Sequence, residues 1–298
     1  MKQEKLYARH GRATDALAGI NPSMMEKRET SDKALYRIHD IDVVVMNYSK
    51  QQTSVGINVH KLLTYAIIQF TSRFNEPPAD KIYEVAFSID DYIRITGGQI
   101  PADREQRRRK RNEMQKRLRR ELFLLQAIRL TSTNGNDFES INIVNRVSVK
   151  NGIVTIEFFR SFAEYLLRQP KTIIHPQLLK INARSRTAYA VGLKCIEHYW
   201  MNKRRNSSAG NRLRIRNILR YSPLPDYETV AKNGKSWRER IRHPLEKALD
   251  ELVAAGIFLY WHYADPAQIT NFHAFENAMI IFKVASEDKK SRDITGGL

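Results

Sequence analysis

An internal repeat constrains this chain more than any single motif. Ile67, Phe70, Phe74, Ile89, Tyr92 and Ile93 match Leu193, Ile196, Trp200, Ile215, Ile218 and Leu219 at a separation of 126 residues. Leu118, Leu122, Leu125 and Leu130 match Leu245, Leu249, Leu252 and Ile257 at 127. Apolar positions that keep one separation, with a single one-residue slip, describe a supersecondary plan used twice. In each copy a long helix (about 57–74, then about 184–202) precedes a short one (about 88–95, then about 213–220). A third helix ends near 126 or 255, and a hairpin follows.

Local signals place the ends of these elements. Ser88 ahead of Ile89-Asp90-Asp91 predicts an N-cap, and Gly97-Gly98 stops that helix. Met114, Leu118, Leu122 and Leu125 form the apolar stripe of the third helix, with Pro101, Ala102 and Asp103 at its start. After Ala127 the period falls to two. Ile128 and Leu130, the turn Thr133 to Asp137, then Ile141 and Ile143 predict the first hairpin, whose sheet Ile153 to Phe158 could extend. In the second copy Gly256 ends the helix and Phe258 to Tyr263 is a strand. Asp265-Pro266 opens a loop, and Ala278 to Phe282 returns. Three helices plus a hairpin, the second and third helices pairing as in a helix-turn-helix, predict an α+β chain of two tandem winged-helix domains. Val43 to Met46 reads as a strand opening the first domain. The expected boundaries are 1–35, a flexible segment of mixed charge and little periodicity with a breaker at Gly19 to Pro22; 36–168; 169–286; and a tail at 287–298.

Charge points to the partner. The 298 residues carry 50 Lys+Arg against 32 Asp+Glu, a net +18, which favours a polyanion and most commonly nucleic acid. The run Arg107-Arg108-Arg109-Lys110-Arg111 occupies the polar faces of the third helix of the first copy, so it belongs to a folded element rather than a tail. Arg104, Arg107, Arg108, Lys110 and Arg111 are barely interrupted by acids, which suits phosphate contact better than base reading. Arg117, Arg119 and Arg120 keep the rest of that helix basic. Arg214 and Arg216, with Arg212 and Lys203-Arg204-Arg205, flank the second short helix and could add backbone contacts.

In the second copy Trp237, Ile241, Leu245, Ala248 and Leu252 share one helical face. Lys235, Arg238 and Arg242 then project away from it, near the helix start where recognition helices touch base edges. Arginine suits this role because its planar fork can donate twice to guanine. Pro244 cannot donate to the carbonyl of Arg240, so the helix either kinks there or begins there. In the second register Arg240, Arg242 and Lys247 become the readers, and Arg242 serves in both. The plain alternative for each is a solvated charged face. Phe258, Tyr260, Trp261 and Tyr263 are expected to pack in the core with one or two rings exposed, rather than to stack on bases.

Catalytic chemistry finds little support. Cys195 is the single cysteine, so no internal disulfide or Cys-based zinc site can form. No two histidines stand two apart, as a nicking site with a His-apolar-His metal pair would need. Gly234-Lys235-Ser236 resembles the end of a phosphate loop, but position 229 is Thr rather than Gly. No active site, cofactor or metal is expected. No apolar stretch approaches the ~20 residues of a membrane span, and MKQEKLYARHGRATD lacks the apolar core of a secretory signal. A cytoplasmic protein is expected.

SRTAYAVGLKCIEHYW, LRIRNILRYSPLP and SWRERIRHPLEKALDELVAAGIFLYWHY, each with an earlier counterpart, resemble the plasmid replication initiators of the tandem winged-helix, iteron-binding type. The resemblance covers roughly residues 36–285. It implies that both domains dock on repeated double-stranded DNA sites at an origin. The C-terminal one would read bases, while the N-terminal one would contact phosphates and serve homodimerisation. It also implies recruitment of a host initiator and replicative helicase, and repression of the initiator's own gene by dimers. A transcriptional repressor or relaxosome accessory protein on the same scaffold is the nearest alternative. A nicking or ATP-using enzyme is the alternative from another class.

Overall fold

The computed structural model describes residues 6–9, 12–20, 26–27, 33–38, 41–47, 55–134, 137–204 and 208–285. It is an α+β chain. β1 (Leu6–Arg9) and α1 (Arg12–Ala18) come first, then β2 (Glu26–Lys27), β3 (Lys33–Ile38) and β4 (Ile41–Met46). α2 (Ile57–Arg73), β5 (Glu84–Ser88), α3 (Ile89–Ile95) and α4 (Arg104–Ala127) follow. Four strands come next: β6 (Ile128–Asn134), β7 (Asp137–Asn142), β8 (Val144–Lys150) and β9 (Ile153–Phe158). α5 (Arg160–Arg168), β10 (Lys171–Ile174) and α6 (Pro176–Lys180) lead into the second copy. That copy holds α7 (Arg186–Arg204), β11 (Arg212–Arg214), α8 (Ile215–Leu219), α9 (Tyr227–Lys232) and α10 (His243–Ala254). β12 (Phe258–Tyr263), α11 (Phe272–Asn277) and β13 (Met279–Val284) complete it.

The repeat holds register for register. In the first copy Phe87 pairs with Val154 and Ser88 with Ile153; 126 residues on, Leu213 pairs with Ile280 and Arg214 with Met279. The amide of Ile89 donates to the Gly152 carbonyl at 2.8 Å, and that of Ile215 to the Ala278 carbonyl at 3.0 Å. Both small sheets have the order first, third, second strand: β5-β9-β8 and β11-β13-β12. Each middle-in-sequence strand also breaks register at its start, between Val144 and Arg146 and between Phe258 and Tyr260. Such a break bends the strand and raises its twist, here letting the hairpin wrap back onto the helices. Leu118, Leu122 and Leu125 of α4, and Leu245, Leu249 and Leu252 of α10, are at most 1% exposed. They face α2 and α7 respectively, and each buried leucine contributes roughly 1.5–3 kcal/mol of transfer free energy.

Three expectations are corrected. First, the hairpin after α4 is not the terminal hairpin of the first copy. β6 and β7 extend β3 and β4 into a five-stranded sheet, β2-β3-β4-β6-β7. Ile153 to Phe158, expected to join that hairpin, pairs instead with β5 and β8. The true counterpart of β12 is β8, with Val144 and Phe258 equivalent at a separation of 114 residues. Leu130 and Ile257 are therefore not equivalent. The first copy gains a hairpin before β8. The second gains length inside its own hairpin, where Ala264 to Ala278 replaces the tight Asn151-Gly152 turn. That turn has φ of 51° and 77°, the left-handed pair a two-residue hairpin demands. The two insertions nearly cancel, which is why a constant offset survives along the sequence.

Second, residues 6–9 and 12–20 of the segment expected to be flexible are packed. β1 pairs antiparallel with β10, and Ala8, Ala16 and Ile20 are at most 2% exposed. A four-residue strand and a seven-residue helix have no stability alone and take their shape from what they dock on. The expected tail, 287–298, lies outside the described residues.

Third, of the two registers expected at Pro244 the helix does not begin there, and the expected distortion takes the form of a widened turn just before it. A widened π turn, Arg238–Arg242, runs into α10, and the amide of His243 donates to the Arg238 carbonyl five residues back. The wider turn removes the clash and the missing donor that Pro244 would cause in a regular helix. Among the described residues no helix is long and apolar enough to cross a membrane, and no His/Cys/Asp/Glu cluster could hold a metal.

Candidate nucleic-acid interface

The third helix of each copy projects its cations in a different way. α4 is capped by Asp103, which accepts from the amide of Gln106 at 2.8 Å. Its first turns carry the run of arginines, and the structure sorts them. Arg104, Arg108 and Lys110 are exposed and carry no ion pair among the described residues. Arg107 folds back, its Nε donating to the Pro101 carbonyl at 3.0 Å and its Nη2 to that of Ala102 at 3.3 Å. Arg109 pairs with Glu105 at 2.6 Å.

Arg111 points both arms of its fork at Asp90 of α3, with Nε to Oδ1 at 2.7 Å and Nη2 to Oδ2. A bidentate pair of this kind fixes geometry as well as charge. The Arg111 hydrogen bonds hold the Asp90 carboxyl below its ordinary range against the opposing pull of burial. Arg111 therefore locks α3 against α4 and keeps only part of its charge for a ligand. Deeper along α4, Arg117 pairs with the buried Glu121 at 2.7 Å. Burial pushes the Glu121 carboxyl up, with Arg117 opposing it.

In the second copy Lys235 lies in the loop before the helix. Lys235, Arg240 and Lys247 are exposed and carry no ion pair among the described residues. Arg238 is held by two contacts: its guanidinium lies 5.4 Å from the Trp237 ring, and Nη2 donates to the Thr270 carbonyl at 3.3 Å. Arg242, favoured by both sequence registers, is occupied. Its Nε donates to Glu246 Oε1 at 2.8 Å, Tyr263 Oη donates to the same oxygen at 2.9 Å, and the guanidinium sits 5.5 Å from the Tyr263 ring. Only 24% of the Arg242 side chain is exposed. The Glu246 hydrogen bond raises its pKa, while burial, and then Glu246, raise that of Tyr263. Arg242 thus braces the helix against the hairpin.

Arg214 and Arg216 are exposed at the start of α8. Their counterparts 126 residues earlier are Ser88 and Asp90, so the second copy has cations where the first has a cap and a carboxylate. Of Lys203-Arg204-Arg205, Lys203 is exposed and lies 4.6 Å from the Trp200 ring, and Arg205 falls outside the described residues. Phe258 is buried, Tyr260 is 43% exposed, and Trp261 donates from Nε1 to Asp250 at 2.8 Å.

Sequence reasoning missed three groups. His243 is exposed on the same helix as Arg240 and Lys247. The Arg242–Glu246 pair was open to detection from its i, i+4 spacing, but Tyr263 joins it from another element. α11, in the inserted loop, lays Phe272 on Tyr227 with ring centroids 4.2 Å apart and planes 9° apart, and sets it edge-on to Trp237 at 5.8 Å. This stack fixes the entry to the widened turn.

No protein-family model matches the chain, and no curated protein matches it. Among solved structures it is similar to the crystal structure of RctB domains 2-3, with a TM-score of 0.40 and 11% sequence identity, over 91% of this chain and 97% of that one.

Proposed function

We propose that this protein is a sequence-specific double-stranded DNA-binding initiator of plasmid replication, built on two tandem winged helices and without catalytic chemistry of its own. The observation that carries the reading is the doubled helix–strand–helix–helix–strand–strand plan with unpaired cations on the third helix of both copies. In a winged helix that third helix enters the major groove, and residues near its start reach base edges. Arg240 and Lys247, with Lys235 and Arg238 at the entry, would read bases, and Arg242 would join them on leaving Glu246. Arg104, Arg108 and Lys110, with Arg107, Arg111, Arg214 and Arg216, would hold phosphates. Binding to direct repeats at an origin, homodimerisation through the N-terminal domain, and recruitment of a host initiator and replicative helicase complete the proposal.

Footprinting on the DNA that flanks the gene tests it, with wild-type protein and Arg240→Ala and Arg242→Ala variants at moderate salt. Protection of several evenly spaced direct repeats, lost in the variants, is the expected result. A single protected inverted repeat at the promoter would make the protein a repressor, and no protection would end the DNA reading.

A further inference from the structure

We propose that residues 6–9 and 12–20, which hold β1 and α1, act as a clamp that sets the spacing and angle between the two repeated units. This goes beyond the DNA reading and, in its functional consequence, rests on it.

The segment holds three places at once. Its strand β1 pairs with β10, which lies in the connection between the units, from Leu6 with Ile174 to Arg9 with Lys171. Arg9 Nη1 donates to the carbonyls of Leu167 and Gln169 at 2.7 and 2.9 Å, so one guanidinium ties down the end of α5 and the residue after it. On the first unit, His60 Nε2 of α2 donates to the Thr14 carbonyl at 3.0 Å, while His60 Nδ1 lies 2.9 Å from Tyr189 Oη of α7. On the second unit, Asp15 receives Lys194 of α7 at 3.2 Å, and the same ammonium reaches Glu197 at 2.9 Å. Gly19 lies so close to Tyr221, in the loop after α8, that a Cβ there would stand 3.0 Å from the Tyr221 carbonyl oxygen.

These are buried contacts. Thr14 and Asp15 are 0% and 3% exposed, and Arg9 is 8% exposed. Burial and then the neighbouring Glu197 push the Asp15 carboxyl up, with Lys194 opposing them; buried polar groups of this kind need fixed partners, so Asp15, Lys194 and Glu197 bind the segment to the second unit in one geometry. Without the segment, β10 has no partner strand, since the two form a sheet by themselves. The direct contacts of His60 and Thr64 of α2 with the Tyr189 hydroxyl of α7, at 2.9 and 3.1 Å, then remain between the units, and the segment is what braces them on either side of that point.

The experiment reads the relative placement of the two units as a distance. Spin labels at Lys150→Cys and Asp265→Cys, both exposed positions in the hairpins of the two units, report the inter-unit distance, and Cys195 is fully buried and stays unlabelled. The full chain should give one narrow distance distribution. The Arg9→Gln/Asp15→Asn double variant should broaden it while each unit keeps its helical circular dichroism. Gly19→Val, acting at the far end of the segment, should do the same and covers the case in which the double variant fails to fold. An unchanged distribution in folded variants overturns the clamp. Salt titration of DNA binding separates the two readings. If two units contact about eight phosphates and one contacts about four, the log K against log salt slope should move from about −7 to about −4 in the variants. A broadened distribution in a protein that binds no DNA would keep the clamp and discard the DNA reading.

Discussion

The two third helices are built on one plan and charged differently. Residues 104–127 carry ten Lys and Arg against three acids, whereas residues 237–254 carry four against four. Dense unbalanced charge attracts phosphates whatever the base sequence. A balanced helix gains little from that, and its few unpaired cations matter through where they point. The paired residues follow the same division. In the first unit Arg111 spends its fork on α3, stiffening the helix pair. In the second, Arg242 spends its own on Glu246 beside Tyr263, stiffening the helix against the hairpin. Each unit braces its third helix with one arginine and leaves other cations of that helix without an ion pair among the described residues.

Substitution in the cores has the largest expected effect and tests whether the units are equivalent in packing. Leu122→Ala and Leu249→Ala remove side chains of 1% and 0% exposure at matched positions, and each should cost about 2–5 kcal/mol by denaturant unfolding. A cost below about 1 kcal/mol at either site would break the equivalence.

The next effect separates the units by pH. Lys61 of α2 is 4% exposed and donates to the Ile181 carbonyl; its counterpart in the second unit is Thr187. Burial, aided by the nearby Arg117, lowers its pKa to about 8 from 10.5. Between these values the unfolded chain binds more protons than the folded one, so stability contributed by this group rises with pH across that window, and the buried charge is a cost below it. The melting temperature of Lys61→Met should lack this rise. An identical profile in wild type and variant would place the ammonium in water.

Arg240→Ala should weaken binding to the preferred DNA by about 1–3 kcal/mol and relax its base preference, measured against scrambled DNA. Equal weakening on both DNAs would make Arg240 a phosphate contact. The smallest effect is at the cap. Ser88 accepts from the Asp91 amide at 3.0 Å, while Arg214 at the matching place makes no side-chain cap. Ser88→Ala should cost about 1 kcal/mol, and Arg214→Ala much less.

Much of the fold was legible because long amphipathic helices and capped ends are written locally. α2, α3, α7, α8 and β12 fall within two residues of the expected spans. What was hidden depends on distance along the chain. The β6–β7 hairpin is indistinguishable in sequence from a terminal hairpin, since both follow the third helix; only its pairing with β4 tells them apart. The Arg111–Asp90 pair spans 21 residues, although Asp90 standing where the second copy has Arg216 was a clue. α1 shows no clear periodicity because its seven residues make barely two turns and bury against α7, α2 and β4.

The central claim is that the first unit grips backbone while the second reads sequence. Binding of wild type, an Arg104→Ala/Arg108→Ala/Lys110→Ala variant and Arg240→Ala to preferred and scrambled DNA across a salt series tests it most directly. The account predicts that the triple variant makes the salt slope shallower by about 3 on both DNAs, while Arg240→Ala closes the gap between the two DNAs and moves the slope by no more than about 1. A wild-type slope near −2 would contradict two-unit docking, and loss of base preference in the triple variant with its slope unchanged would contradict the division of labour.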